Sequence, residues 1–122
     1  MSARILLVED DSLLRHAFRL LIEDSGYVVA EAGTVKDAVA SAKDVAPDLV
    51  LLDLGLPDGP GLDVARALRA HPGLELIPII ALTGRVGSDE KAACLEAGCT
   101  SYLTKPIEGR TLLKRLAEFL AP

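Results

Sequence analysis

Five short aliphatic runs limit what this chain can fold into. They are ILLV at 5–8, YVVA at 27–30, LVLL at 49–52, PIIAL at 78–82 and SYLT at 101–104. None of them alternates with polar residues. A strand with one wet face must alternate, so such runs fit strands buried on both faces, as in a parallel sheet. Helical patterns lie between them. Asp11 or Ser12 is expected to cap LLRHAFRLLIED, whose Leu14, Phe18, Leu21 and Ile22 share a face, and Gly26 closes it. Thr34 is expected to cap VKDAVASAKDV, which Pro47 stops, and Gly61 to Ala70 reads as a third helix. Ser88 is expected to cap DEKAACLEA, ended by Gly98, and RTLLKRLAEFL places Leu112, Leu116, Phe119 and Leu120 on one face. Strand and helix alternate five times. That order predicts one α/β domain around a parallel sheet with right-handed crossovers.

The composition is consistent with this. The chain has 122 residues, half of them apolar, with no Trp and only two Phe and two Tyr, so the core must be aliphatic. A net charge of −5 speaks against direct nucleic-acid binding, which needs basic patches. Cys94 and Cys99 form neither a CxxC pair nor a zinc pattern; two half-buried thiols in a reducing cytoplasm are expected. MSARILLVED has too short an apolar run, too quickly followed by acids, to be a secretory signal. No stretch approaches the roughly 20 apolar residues of a membrane span. The expected compartment is the cytoplasm. His16 and His71 are expected to face solvent.

In open α/β sheets, ligands bind beyond the C-terminal ends of the strands. Strand 1 ends in Glu9-Asp10-Asp11, strand 3 in Asp53, strand 4 in Thr83-Gly84 and strand 5 in Lys105-Pro106. Strand 2 ends in Glu31, with nothing comparable around it. Two carboxylates about 4 Å apart repel by roughly 4 kcal/mol at an effective dielectric of 20. A cluster of Glu9, Asp10 and Asp53 therefore needs compensation. Lys105 offers one positive charge, and a hard divalent cation such as Mg²⁺, held by carboxylates, a backbone carbonyl and waters, offers the rest. Gly55 is placed to lend such a carbonyl. A carboxylate beside Mg²⁺, an ammonium and the Thr83 hydroxyl is set up to attack phosphorus.

ILLVEDD, VLLDLGLPDGPG, IIALTG and YLTKP, in that order and each at its strand end, resemble the signatures of the receiver domain of two-component response regulators. The likeness covers essentially the whole chain and implies one receiver domain over residues 1–122. It implies a flavodoxin-like (βα)5 three-layer sandwich with strand order 2-1-3-4-5. By the same resemblance Asp53 is the phospho-acceptor, and Asp10, Asp53 and the Gly55 carbonyl hold Mg²⁺ (or Mn²⁺). Glu9 acts on the metal through water, Lys105 pairs with the phosphoryl group, and Pro106 follows a cis peptide. Thr83 and Tyr102 form the switch. Gly55 and Arg85 match the positions that tune phosphoryl lifetime.

The implied function is acceptance of a phosphoryl group from a sensor histidine kinase or histidine phosphotransfer protein. The output would pass through the α4-β5-α5 face to an effector domain or a second copy. Such a domain is not an enzyme beyond Mg-dependent self-phosphorylation and self-dephosphorylation, and it binds no membrane.

Other readings fit less well. A dinucleotide domain wants a glycine-rich loop after strand 1, where this chain has EDDSLL. An EF-hand would end DLGLPDGPGLDV on Glu, not Val64. An Asp-nucleophile phosphatase would want an acid at Gly55. A pseudo-receiver that binds partners without being phosphorylated should have lost Asp53, Asp10, Lys105 or Thr83, and all four are present.

Overall fold

The computed structural model describes residues 2–84 and 87–120. Five strands, β1 (Arg4–Val8), β2 (Val28–Ala32), β3 (Leu49–Asp53), β4 (Ile79–Thr83) and β5 (Ser101–Thr104), pair in parallel in the order β2-β1-β3-β4-β5. The helices between and after them are α1 (Ser12–Asp24), α2 (Val35–Val45), α3 (Leu62–Arg69), α4 (Ser88–Ala97) and α5 (Gly109–Leu120). After β3 the chain makes a small antiparallel ribbon, with Gly55 opposite Pro60 and Leu56 opposite Gly59.

The unbroken aliphatic runs are explained by two cores. Side chains of a strand point alternately to its two faces. On one face Leu6, Val8, Val50, Leu52, Ile79 and Ala81 pack under α2, α3 and α4. On the other, Ile5, Leu7, Leu49, Leu51, Ile80 and Leu82 pack against Phe18 and Ile22 of α1 and Leu112 and Leu116 of α5. The central strand β3 is buried along its whole length. Each Leu or Ile removed from water in this way contributes about 1.5–3 kcal/mol.

The helix ends show where local signals hold. Asp11 caps α1, its Oδ1 accepting the N–H groups of Leu13 at 3.0 Å and Leu14 at 3.2 Å. Thr34 caps α2 through the Asp37 N–H at 3.0 Å. Pro47 ends α2 after Val45 by its effect on the residue before it: Ala46 leaves the helix in a left-handed conformation with φ 48°, because the residue before a proline is disfavoured in the helical region. Ser88 does not cap α4; it is the first helical residue, after an extended Gly87 that offers no side chain. β2 runs on to Ala32, so Glu31 lies within the strand rather than at its tip. Its carboxylate meets Arg19 at 2.6 Å and Arg15 at 3.5 Å, both from α1. Cys94 and Cys99 are fully buried rather than half-buried.

Gly98 ends α4 at φ 103°. Its carbonyl accepts the Arg69 Nε–H at 2.8 Å, and Arg69 also reaches the carbonyls of Leu74 at 3.3 Å and Glu75 at 3.2 Å. A Cβ at Gly98 would lie 2.6 Å from Arg69 Cγ, whereas one at Gly26, also at positive φ, would meet nothing. Gly26→Ala is therefore expected to cost about 1 kcal/mol from backbone strain alone, and Gly98→Ala about 2–3 kcal/mol because a fastened arginine must also move. Urea denaturation of the two variants checks the difference; equal losses would show that Arg69 yields freely.

Candidate functional site

The C-terminal edge of the sheet gathers the polar strand ends. Glu9, which follows β1, is 1% exposed, Asp53 is 6% and Thr83 5%, while Asp10 is open to solvent. Glu9 is tied to the sheet by its backbone, whose N–H donates to the Ala32 carbonyl at 3.0 Å. Its side chain accepts the Asp11 N–H at 3.3 Å and the Lys105 ammonium at 3.0 Å. The same ammonium donates to Asp53 Oδ1 at 3.1 Å. That oxygen also takes the Gly55 N–H at 3.3 Å. Lys105 is held by its own backbone N–H on the Thr83 carbonyl, 2.7 Å, and its peptide bond to Pro106 is cis.

Strand periodicity assigns these groups to two sides. Glu9, Asp53 and Lys105 continue the rows of Leu7, Leu51 and Leu103, which face α1 and α5. Thr83 continues the row of Ile79 and Ala81, which faces α3 and α4. Tyr102, half-buried and paired with Ala81 across the strands, packs into that second core. Glu9, Asp53 and Lys105 thus project to one side of the sheet, and Thr83 and Tyr102 to the other. A cleft of about 530 Å³ joins Asp53 and Lys105 to Thr83, lined also by Gly55, Gly61 and Glu90.

The charges do not balance. Carboxylate oxygens of Glu9, Asp10 and Asp53 all lie within 4.8 Å of one another. Burial first, and then the Asp53 side chain beside it, push the Glu9 carboxyl up to about 7, although Lys105 pulls the other way. Burial opposes the charge on Lys105, yet its bonds to Glu9 and Asp53 outweigh that and raise its pKa. Three hard oxygen donors around a negative surplus suit a small divalent cation with oxygen preference.

The sequence reading brought Glu9, Asp10, Asp53, Gly55, Thr83 and Lys105 to one place, and they are found there. Arg85 lies outside the described residues. His16 is exposed on α1 and His71 is half-buried. Two residues of the surroundings went unread. Arg15 donates to the Glu9 carbonyl at 2.8 Å and so braces the turn that carries the acids. Gly61 lets the loop return onto Asp53: a Cβ there would lie 2.5 Å from the Asp53 carbonyl oxygen. GPG in the sequence gives no sign of this backbone contact.

A profile of the response regulator receiver domain matches residues 5–117. The transcriptional regulatory protein PhoP of Escherichia coli is 37% identical over 113 residues, which are 93% of this chain and 50% of PhoP. The KDP operon transcriptional regulatory protein KdpE of the same organism is 39% identical over 112 residues, 92% of this chain and 48% of KdpE. The chain thus spans about half the length of the curated relatives it matches. Chemotaxis protein CheY4 of Vibrio cholerae superposes with a TM-score of 0.94 at 29% identity, over 98% of this chain and 100% of that one. The receiver domain of a sensor histidine kinase from Pseudomonas aeruginosa, with a magnesium ion coordinated in its active-site cleft, gives 0.91 at 31% identity over the whole of both chains.

The raised Glu9 carboxyl has a consequence for stability. The folded protein holds the Glu9 proton more tightly than the unfolded chain, so wild-type stability falls as pH rises from 4.5 through about 7. Glutamine keeps an acceptor for Lys105 and carries no such penalty. In chelator at about pH 8, Glu9→Gln is expected to be more stable than wild type by on the order of 2 kcal/mol, with the gap closing toward about pH 5. Urea unfolding at the two pH values checks this, and a pH-independent gap would refute it.

Proposed function

The chain belongs to the response regulator receiver domain family, and from that premise we propose that it is the phospho-accepting module of a two-component pathway, with Asp53 as the acceptor. The observation that carries this reading is the setting of Asp53. It is a nearly buried acid at the tip of the central strand, bonded by Lys105 and Gly55 and flanked by Glu9 and Asp10. In the proposed reaction an Asp53 oxygen attacks phosphorus. The new O–P bond forms as the bond from phosphorus to the donor breaks, and its electron pair leaves on the donor, a phosphohistidine nitrogen in the pathway or an acyl oxygen in a small-molecule assay.

Asp10, Asp53 and the Gly55 carbonyl would hold Mg²⁺, or Mn²⁺, with Glu9 acting through water. When bound, that ion supplies positive charge for the phosphoryl oxygens. Lys105 keeps Asp53 oriented before transfer and neutralises a phosphoryl oxygen after it. Gly55 has no side chain to orient a water, which favours a slowly hydrolysed phosphoryl group. No turnover of an external substrate is assigned to the site. The whole chain, 1–122, is taken as one receiver domain acting in the cytoplasm, and no described helix is long and apolar enough to cross a membrane.

The signal would leave through Thr83 and Tyr102. A hydroxyl drawn toward the phosphoryl group vacates space on the α4 side of the sheet, and Tyr102, diagonal to it across the strands, turns in. The α4-β5-α5 face then changes. A second copy or an effector domain would read it, as the transcriptional roles named for PhoP and KdpE suggest. The phosphoryl source would be a sensor histidine kinase or a histidine phosphotransfer protein. The pseudo-receiver alternative is disfavoured because none of Asp10, Asp53, Thr83 and Lys105 is missing.

Acetyl phosphate with Mg²⁺ is expected to add one phosphoryl group by intact mass, and none to Asp53→Asn; full labelling of that variant would remove Asp53 from its role. Lys105→Ala is expected to keep its metal and lose the signal. With an acyl-phosphate mimic, the Tyr102 ring resonances should shift in wild type and much less in Thr83→Ala. An unmoved ring in phosphorylated wild type would rule out the switch.

A further inference from the structure

The loop that leaves Asp53 is fastened at its far end by one carboxylate. Asp58 sits at the tip of the small ribbon, between Gly55–Leu56 and Gly59–Pro60. Its Oδ1 accepts the Val35 N–H at 2.7 Å and its Oδ2 the Lys36 N–H at 3.1 Å. These are the first two residues of α2. A helix leaves its first N–H groups without partners of its own, and its N-terminus favours negative charge. Thr34 takes only the Asp37 N–H. Asp58 therefore completes the cap of α2 from another part of the chain. The Val35 N–H, and then that of Lys36, hold its carboxyl below the usual range, so the contact is made by the charged form.

The ribbon's other end is the acceptor site. The Gly55 N–H bonds Asp53 Oδ1, and the Gly61 N–H bonds the Leu54 carbonyl at 3.0 Å. Gly61 has no spare space against Asp53. The ribbon itself has only two residue pairs, and a ribbon of that size is not stable alone. Something outside must fix it, and the α2 end is where its tip is tied.

We propose that Asp58 is a positioning residue for the acceptor site: by tying the ribbon tip to α2 it fixes Gly55, and through Gly55 the seat of the cation and the orientation of Asp53. The inference rests on the reading of Asp53 as the phospho-acceptor. The test compares Asp58→Ala with Thr34→Ala, which removes a cap from the same helix without touching the ribbon. Both are expected to unfold at lower urea concentration than wild type.

In metal-free protein the Gly55 amide resonance should shift and its hydrogen exchange quicken in Asp58→Ala only. Mg²⁺ titration followed by amide shifts should show binding weakened about fivefold, the scale of one lost hydrogen bond, with acetyl phosphate labelling slowed comparably. Thr34→Ala should match wild type in all three, and Asp58→Asn, which keeps an acceptor, should recover part of the loss. If Asp58→Ala and Thr34→Ala behave alike at Gly55, in Mg²⁺ affinity and in labelling, Asp58 is only a cap and the proposal is wrong. If wild type neither binds Mg²⁺ nor labels, the acceptor reading fails, and the Gly55 comparison in metal-free protein still decides whether the tie exists.

Discussion

The Lys105 ammonium lies 3.0 Å from Glu9 and 3.1 Å from Asp53, and the edge of the sheet depends on it. Without a cation there, two almost fully buried carboxylates would face each other and a third, Asp10, would stand beside them. One ammonium reduces that surplus without removing it, and burial first, then the Asp53 side chain beside it, hold the Glu9 carboxyl high. The rest of the fold can be understood as what tolerates this corner. Among the described residues twelve large side chains are essentially inaccessible, and most belong to the strands that end there. Their burial supplies stability far from the charges, so the site can stay unbalanced and receptive to a cation without unfolding the domain.

The sheet also separates the residues proposed for the chemistry from those proposed for the response. Glu9, Asp53 and Lys105 stand in the rows that face α1 and α5, and Thr83 and Tyr102 in those that face α3 and α4. On the second side, α4 buries only Cys94 and Ala97, and among the described residues no side chain caps its start. Its far end is held by Arg69 on the Gly98 carbonyl. A helix fixed at the end away from the cleft can pivot rather than melt, which suits the proposed report of a change at Thr83.

Much of this was legible because it is written locally. The runs at 5–8, 49–52 and 79–82 identify strands buried on both faces, since only covered strands can be apolar at every position; the edge strands β2 and β5 are only partly buried, and SYLT itself carries Ser101 and Thr104. The acids and Lys105 were legible because strand ends in such sheets are where side chains converge. Thr34 and Asp11 could be read as caps because their own side chains reach N–H groups two or three residues on. What escaped is long-range or backbone-made. Glu31 looked like a strand tip, but pairing extends β2 past it toward arginines on α1. Ser88 looked like a cap, yet Gly87 occupies that position with no side chain at all. Arg15, Gly61 and Asp58 meet backbone groups that belong, in space, to other elements. A composition of charged and turn residues gives no sign of which carbonyl or N–H each will find.

The magnitudes are consistent with a switch of the proposed kind. Moving a two-state equilibrium from almost all resting to almost all active takes about 5.5 kcal/mol of differential interaction. Repulsion between the phosphoryl group and the acids acts in both states, so it does not bias them. Only contacts made in one state count. A hydrogen bond to a charged group contributes about 1.5–3 kcal/mol, so the Thr83 hydroxyl and the Lys105 ammonium together supply about 3–6 kcal/mol if both close on the phosphoryl oxygens only in the active state. Thr83 alone would fall short. Lys105, now engaged with Glu9 and Asp53, must give up or share those bonds, so its net contribution lies below the gross figure. The deficit has to be met by packing, and a half-buried Tyr102 turning into the space beside Ala81 is the group positioned to meet it.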